Sequence, residues 1–303
     1  MIDVLRRNLA DLVHLFLVPL LIALLPWRLG LACLRRMARG GHGLDAVADA
    51  AFSAAREHVD IGDEAAWKWR FRLLQLLERV DTWLLLLRPA RWWRHQVEVL
   101  GEWPPEARAS VLLTYHWGGG QWVFRLLREH GRAAHFIAQR SSVGDHGRGR
   151  VSLGLAAVRR RALARAGCLG VLYVGDGSGR RIGEALARGE SVCGMLDLPA
   201  RDDQGSFDGH LLGQPVRLPN GLLRIGAGAG VPVLLFSASF DPASGRRRLQ
   251  VEALPAGSDV AAIGARYLHH LDQCLRTESA FWQLWSVAPR LFRGERTADR
   301  PPA

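Results

Sequence analysis

The segment TYHWGGGQWVF, residues 114–124, places His116 ahead of three consecutive glycines and five positions before Gln121. A histidine beside a tight, glycine-rich turn can act as a general base. It takes a proton from a hydroxyl as that oxygen attacks an electrophile, if its other ring nitrogen is held. Gln121 is the partner nearest in sequence. Its amide oxygen can accept from the imidazole N–H and fix the ring, but it carries no charge to stabilise the imidazolium. Replacing the orienting acid of a serine protease by its amide costs about 10⁴-fold. His116 is therefore either a base with a neutral orienter or a strand-end histidine outside the chemistry. Asp145 and Asp197 are carboxylates that could take over the orienting role.

The elements that must position these residues follow from periodicity. SVLLTYH (110–116) reads as a strand ending at His116, and QWVFRLLREHG (121–131) as a helix stopped by glycine. AAHFIAQR (133–140) is a strand ending at Arg140, and ESVCGMLDLPA (190–200) one ending at Asp197. Helices are expected at 152–167, 180–189, 218–230 and 259–279, with strands at 169–174 and 231–241 and an edge strand at 247–255. Alternation of this kind implies an α/β fold: a mixed, mostly parallel sheet flanked by helices. His116, Arg140 and Asp197 all fall at carboxyl ends of strands, where open α/β sheets build their sites. The glycines of VLYVGDGSGRRIG (171–183) do not fit a dinucleotide fingerprint, because Arg180 stands where a small residue must let helix and strand approach. They read as a tight turn that uses positive φ.

The amino-terminal third has a different texture. Residues 12–27 are uncharged and apolar, interrupted by Pro19 and Pro26 and flanked by Arg6, Arg7, Arg28, Arg35 and Arg36. The run is shorter than the roughly 20 residues that cross a bilayer core. No small-x-small site follows promptly, as a cleaved leader would require. A buried core helix remains possible on pattern alone. A membrane-associated helix with basic flanks fits better. Residues 67–99 interleave Trp, Arg and Leu, which suits a helix touching lipid or one packed on its own domain. Three segments are expected: 1–40 membrane-associated, 41–104 amphipathic and helical, and 105–303 α/β.

Of 303 residues about half are apolar and the net charge is +11, with Lys68 the only lysine. Guanidinium groups bind phosphates and carboxylates in a bidentate fork. Anionic lipid, an acidic carrier protein or nucleic acid would suit such a surface. Against nucleic acid, the aromatics cluster in the amino-terminal apolar region rather than in a recognisable binding module. Cys33, Cys168, Cys193 and Cys274 form no C-x-x-C pair and lie in apolar contexts, so they read as buried, reduced thiols with no metal site.

Six blocks then occur in an order that resembles the bacterial lipid A late acyltransferases, within the lysophospholipid acyltransferase superfamily. They are LPWRLGL, VLLTYHWGGGQW, FIAQR, ALARGESVCGMLDLP, LLGQPVRLPNGLLRIGAGAGVPVLLF and ESAFWQLW, and the resemblance covers roughly residues 10–292. It implies transfer of a fatty acyl group from a thioester, on acyl carrier protein or CoA, to a hydroxyl of a membrane lipid or glycolipid. It needs no cofactor beyond the acyl thioester, and implies the cytoplasmic face of a bacterial inner membrane with its anionic lipids. His116 would be the base and Gln121, which replaces the family's acid, its orienter. Arg140 would bind a phosphate or the oxyanion, and Asp197 would support the site or contact the acceptor. Gly118 and Gly119 would supply amides in the turn. The weaker DLP block puts lipid A itself in doubt as acceptor. The alternative implied by Gln121 is a catalytically silent homologue that binds lipid or carrier as a partner in a complex.

Overall fold

The computed structural model describes residues 8–104, 108–139, 150–175, 177–201, 205–255 and 257–292. Among these residues nine strands run in chain order: β1 (Val97–Leu100), β2 (Val111–Thr114), β3 (Ala134–Ala138), β4 (Cys168–Tyr173), β5 (Ser191–Met195), β6 (Ser206–Leu211), β7 (Gln214–Pro219), β8 (Val233–Phe240) and β9 (Arg247–Ala253). Seven form one sheet, ordered β1-β9-β8-β2-β5-β3-β4, and β6 and β7 pair as a separate antiparallel hairpin. Within the sheet only β8 and β9 run antiparallel. All four residues of β2 are buried, as are the first four of β5. Such continuous apolar runs belong to central parallel strands covered on both faces.

The helices are α1 (Val18–Leu24), α2 (Trp27–Arg39), α3 (Asp45–Ala55), α4 (Glu64–Leu87), α5 (Ala90–Gln96), α6 (Val123–Glu129), α7 (Arg150–Ala166), α8 (Ser178–Ala187), α9 (Gly221–Ala229), α10 (Val260–Thr277) and α11 (Ala288–Phe292). Helix α4 starts at Asp63, whose Oδ1 accepts the Ala66 N–H at 2.9 Å, an ordinary side-chain cap. It ends ahead of Pro89, which disfavours helical geometry at Arg88. The 67–99 segment is thus two helices and a strand rather than one helix. Trp67, Phe71, Leu74, Leu77, Leu84 and Trp93 are buried, so this segment packs on its own protein.

Two other expectations change. The 247–255 strand is not at the edge, because β1 pairs alongside it from Val97↔Arg247 to Leu100↔Gln250. Cys33 is an exposed thiol, while Cys168, Cys193 and Cys274 are buried as expected, and all four are free.

One apolar core runs through all three expected segments, including Leu34, Phe71, Trp93, Leu112, Leu234 and Leu271. A polar lock crosses it. Arg247 of β9 is wholly buried, donates to Asp81 of α4, and lies over the rings of Trp27, Trp93 and Trp92 at 4.5, 5.4 and 5.7 Å. Burial pushes the Asp81 carboxyl up, and the charge and hydrogen bond of Arg247 only partly reverse this. A charge this deep persists because it is paired.

Among the described residues no helix is long and apolar enough to cross a membrane. The amino-terminal helix instead shows two faces. Ile22 and Ala23 are buried, while Leu9, Leu12, Leu17, Leu21, Leu24 and then Leu29 of α2 stand in solvent, each 48 to 60% exposed.

Candidate active site

Strands β2 and β5 are parallel neighbours in register, with Thr114 beside Met195. Two residues beyond each member of that pair stand His116 and Asp197. The register therefore delivers both side chains to one point above the carboxyl edge of the sheet. The His116 Nδ1 and Asp197 Oδ1 are 2.8 Å apart, and Asp197 Oδ2 accepts the backbone N–H of His116 at 2.8 Å. The indole N–H of Trp282 donates to the same Oδ2 at 2.9 Å. Asp197 is fully buried, whereas the His116 side chain keeps 26% of its surface.

The electrostatics follow from this geometry. Burial works against charge on His116, but the charge and hydrogen bond of Asp197, with help from Glu78, more than offset it and raise its pKa. Burial also works against the Asp197 carboxylate. His116 and the hydrogen bonds from Trp282 and the His116 amide hold its pKa below the usual value. With Nδ1 engaged by Asp197, Nε2 is the nitrogen left to exchange a proton with a substrate.

The partner expected at Gln121 is therefore corrected: the contact at Nδ1 belongs to Asp197. Gln121 accepts from the Thr82 hydroxyl at 3.4 Å instead. In the glycine turn, Gly118 has φ 69°, and a Cβ there would stand 1.7 Å from the Ala238 carbonyl oxygen. No side chain fits. The Gly118 N–H donates to the Phe281 carbonyl at 2.8 Å, and its carbonyl accepts from Gln283 Nε2 at 2.8 Å. That amide is committed to the fold and is not free for an oxyanion. The amides of Gly119 and Gly120 make no hydrogen bond among the described residues. Arg140 and Asp145 lie outside the described residues.

Two cavities meet at the histidine, and His116, Phe136 and Met195 line both. The larger, about 540 Å³, opens between the ends of β3, β4 and β5 and helices α8 and α9; Ile137, Val174, Ile182, Leu198, Leu222 and Ile225 make it largely apolar. Gly194 permits this shape, since a Cβ there would sit 2.8 Å from a Leu222 methyl. The smaller, about 290 Å³, lies under the glycine turn against α4 and α7, and Glu78, Gln121, Arg159 and Gln283 line it.

Glu78, Thr82, Arg159, Trp282 and Gln283 were not singled out by sequence reading. One signal was present. Glu78, Asp81 and Thr82 stand at i, i+3 and i+4 of a helix that is otherwise apolar on that face, a polar stripe that points inward. Burial raises the pKa of Glu78, opposed by the Arg159 charge and by a hydrogen bond with the Gln283 side chain. No group of three or more metal-ligating side chains is found among the described residues. The glycine of the 171–183 turn behaves as its pattern implied, with Gly177 at φ 70°. No protein-family model matches the chain, and neither does any curated protein.

Proposed function

We propose that this protein is an acyltransferase that moves an acyl group from a thioester to a hydroxyl on a lipid or glycolipid acceptor at a membrane surface. The observation that carries this reading is the His116–Asp197 pair at the junction of two cavities, which supplies a charged, buried orienter for a base that meets two substrates.

Nε2 of His116 takes the proton of the acceptor hydroxyl while that oxygen forms a bond to the thioester carbonyl carbon. The carbonyl π electrons move onto oxygen, where the amides of Gly119 and Gly120, without a hydrogen bond among the described residues, would serve as donors. The tetrahedral adduct collapses, the C–S bond breaks, and the thiolate takes the proton back from the imidazolium. Asp197 stabilises the imidazolium between those events. No metal or redox group enters this scheme.

The membrane part of the proposal rests on the exposed leucines of residues 9–29, beside Arg28, Arg36 and Arg39, which also face solvent. Apolar side chains that enter the headgroup boundary with arginines beside anionic lipid are a common interfacial arrangement. The donor is an acyl thioester of a carrier protein or of CoA, and no nucleic-acid role is proposed. The order of sequence blocks that resembles the lipid A late acyltransferases points to the same chemistry and to the cytoplasmic leaflet of a bacterial inner membrane.

The test is turnover. Purified protein is incubated with a radiolabelled palmitoyl thioester and a bacterial lipid extract, and labelled lipid is counted. A labelled product that disappears in His116→Ala supports the proposal. Equal counts from wild type and His116→Ala would overturn it. Lipid or carrier binding with no product from wild type would favour the silent-partner reading.

A further inference from the structure

The ladder between β2 and β5 stops where the His116–Asp197 pair begins. The Val192 N–H donates to the Ser110 carbonyl at 3.0 Å, and a parallel ladder repeats that bond at every second residue. Carried on, the series gives Leu196 two bonds. Its N–H would donate to the Thr114 carbonyl, and its carbonyl would accept from the His116 N–H. Neither bond is made among the described residues. The Leu196 N–H donates instead to the hydroxyl of Tyr267 at 2.9 Å, and that hydroxyl donates to the Thr114 carbonyl at 2.9 Å. The Leu196 carbonyl accepts from the Leu198 N–H at 2.8 Å, and the His116 N–H goes to Asp197 Oδ2. One phenolic oxygen thus stands in the place of a ladder bond.

Tyr267 belongs to α10 and is wholly buried. Its ring lies 4.5 Å from that of Tyr115. The Tyr115 hydroxyl is 3.1 Å from the Tyr267 carbonyl and 3.2 Å from His270 Nδ1, so the same helix holds the residue next to His116. A buried tyrosine needs a partner for its O–H, and one backbone carbonyl would satisfy it. This hydroxyl takes an acceptor and a donor on neighbouring strands, two residues ahead of His116 and one ahead of Asp197. With the oxygen removed, a buried N–H and a buried carbonyl face each other and must pair. The ladder then closes, the His116 N–H is drawn to the Leu196 carbonyl, and Asp197 loses one of its two holds on the histidine.

We infer that Tyr267 is a positioning residue for the His116–Asp197 pair: its hydroxyl wedges the ends of β2 and β5 apart and so releases the His116 amide to Asp197. Tyr267 lines neither cavity and acts through the geometry of the base and its orienter. This deepens the acyl-transfer reading, on which only the kinetic arm of the test rests. The ionisable groups that face His116 are Asp197 and, from α4, Glu78, while Arg159 of α7 lines the same cavity. Glu78 and Arg159 keep their places when the Tyr267 hydroxyl is removed, so a change in His116 titration reports on Asp197. Burial works against charge on His116 and Asp197 favours it, so a looser Asp197 contact lowers the His116 pKa.

The test is Tyr267→Phe, which removes one oxygen and leaves the ring packed on Tyr115. Ile263→Val, one turn earlier in α10 and equally buried, loosens the same helix with the hydroxyl in place. The His116 pKa is read by NMR from the histidine ring carbons, and the Nδ1 proton from its downfield resonance. Both signals are assigned by their absence in His116→Ala. Turnover is measured across pH with palmitoyl-CoA and a bacterial lipid extract. Tyr267→Phe is expected to lower the His116 pKa, move the Nδ1 proton upfield and carry the acid limb of kcat/KM to lower pH. It should also cut kcat roughly tenfold to a hundredfold with KM little changed, the scale of a small misplacement of a reacting group. Ile263→Val should leave all of these as in wild type. A Tyr267→Phe protein that keeps the wild-type His116 pKa and Nδ1 resonance would overturn the inference, whatever its stability. So would equal shifts in Ile263→Val. No turnover by wild type, with the pKa and resonance still moving in Tyr267→Phe, would remove the acyl-transfer reading and leave the positioning role standing.

Discussion

Asp197 holds His116 at two points, accepting the backbone N–H through Oδ2 and facing the ring nitrogen through Oδ1, both at 2.8 Å. One carboxylate thus sets the position of the main chain and the tautomer of the side chain together. The third bond, from the Trp282 indole, keeps that carboxylate from rotating.

Asp197→Asn is expected to keep the fold and to lose about 10³–10⁴-fold in kcat/KM, the loss seen when an orienting acid becomes an amide in comparable triads. Kinetics on the substitution, with circular dichroism as the folding control, checks this. A loss below tenfold would remove Asp197 from the mechanism.

The pH profile gives the sign of the electrostatics. His116 must be neutral to accept a proton, and Asp197 raises its pKa above the ordinary histidine value. The acid limb of kcat/KM should therefore lie above about pH 6.5. In Asp197→Asn the burial penalty on the imidazolium goes unopposed by that charge, so the limb should move to lower pH. A limb that stays in place in the variant would show that another group titrates.

Gln121→Glu should not raise the proposed acyl-transfer activity. The sequence alone suggests that a carboxylate at 121 would restore a missing partner, but Nδ1 already has Asp197. A new charge would enter the cavity that holds Glu78, whose pKa burial has already raised. Activity equal to wild type or lower is expected, and a rise in kcat would show that Gln121 is the limiting partner.

Gly118→Ala is expected to destabilise the protein by at least about 1–3 kcal/mol, because a non-glycine residue at that φ is strained. The 1.7 Å approach to the Ala238 oxygen adds a steric cost on top. Thermal unfolding measures it, and an unchanged melting temperature would refute the reading of this turn.

Breaking the buried lock by Asp81→Ala strands the Arg247 guanidinium among three tryptophans. A loss of about 3–5 kcal/mol is expected from one unpaired buried charge. Asp81→Leu combined with Arg247→Met should recover much of it, and chemical denaturation of the three proteins decides.

Replacing Leu21 and Leu24 by glutamate should weaken binding to anionic vesicles roughly tenfold or more per leucine, since each buried leucine side chain is worth about 1.5–3 kcal/mol. Sedimentation with vesicles of anionic and zwitterionic lipid measures the change. Equal binding by the variant would place the lipid contact elsewhere.

Much of the α/β pattern was legible, because central parallel strands are short apolar runs with glycine-marked ends. His116 and Asp197 were readable as residues at strand ends, and the register of β2 against β5 explains why they meet. The β6–β7 hairpin was hidden. Its turn is Leu212-Gly213, and Leu212 adopts φ 52° without being a residue that favours it. The bond from its N–H to Asp272 Oδ1 at 2.6 Å holds that turn from a distant helix. Strand β1 was masked by the Trp and Arg of the helix before it. Glu78 and Arg159 reach the site from two helices and Trp282 from an extended residue bridged to Trp117, all far apart in sequence, and no local spacing announces that convergence.

Helix α4 supplies Glu78 to the cavity beside His116 and, three residues on, Asp81 to the lock on β9. The helical layer is thus a wall of the chamber rather than a tether for it. Fragments cut between the helical and α/β parts should not be separable as a soluble catalytic half and an anchor. A protease that nicks the chain between them would leave two pieces that stay together until the whole molecule unfolds.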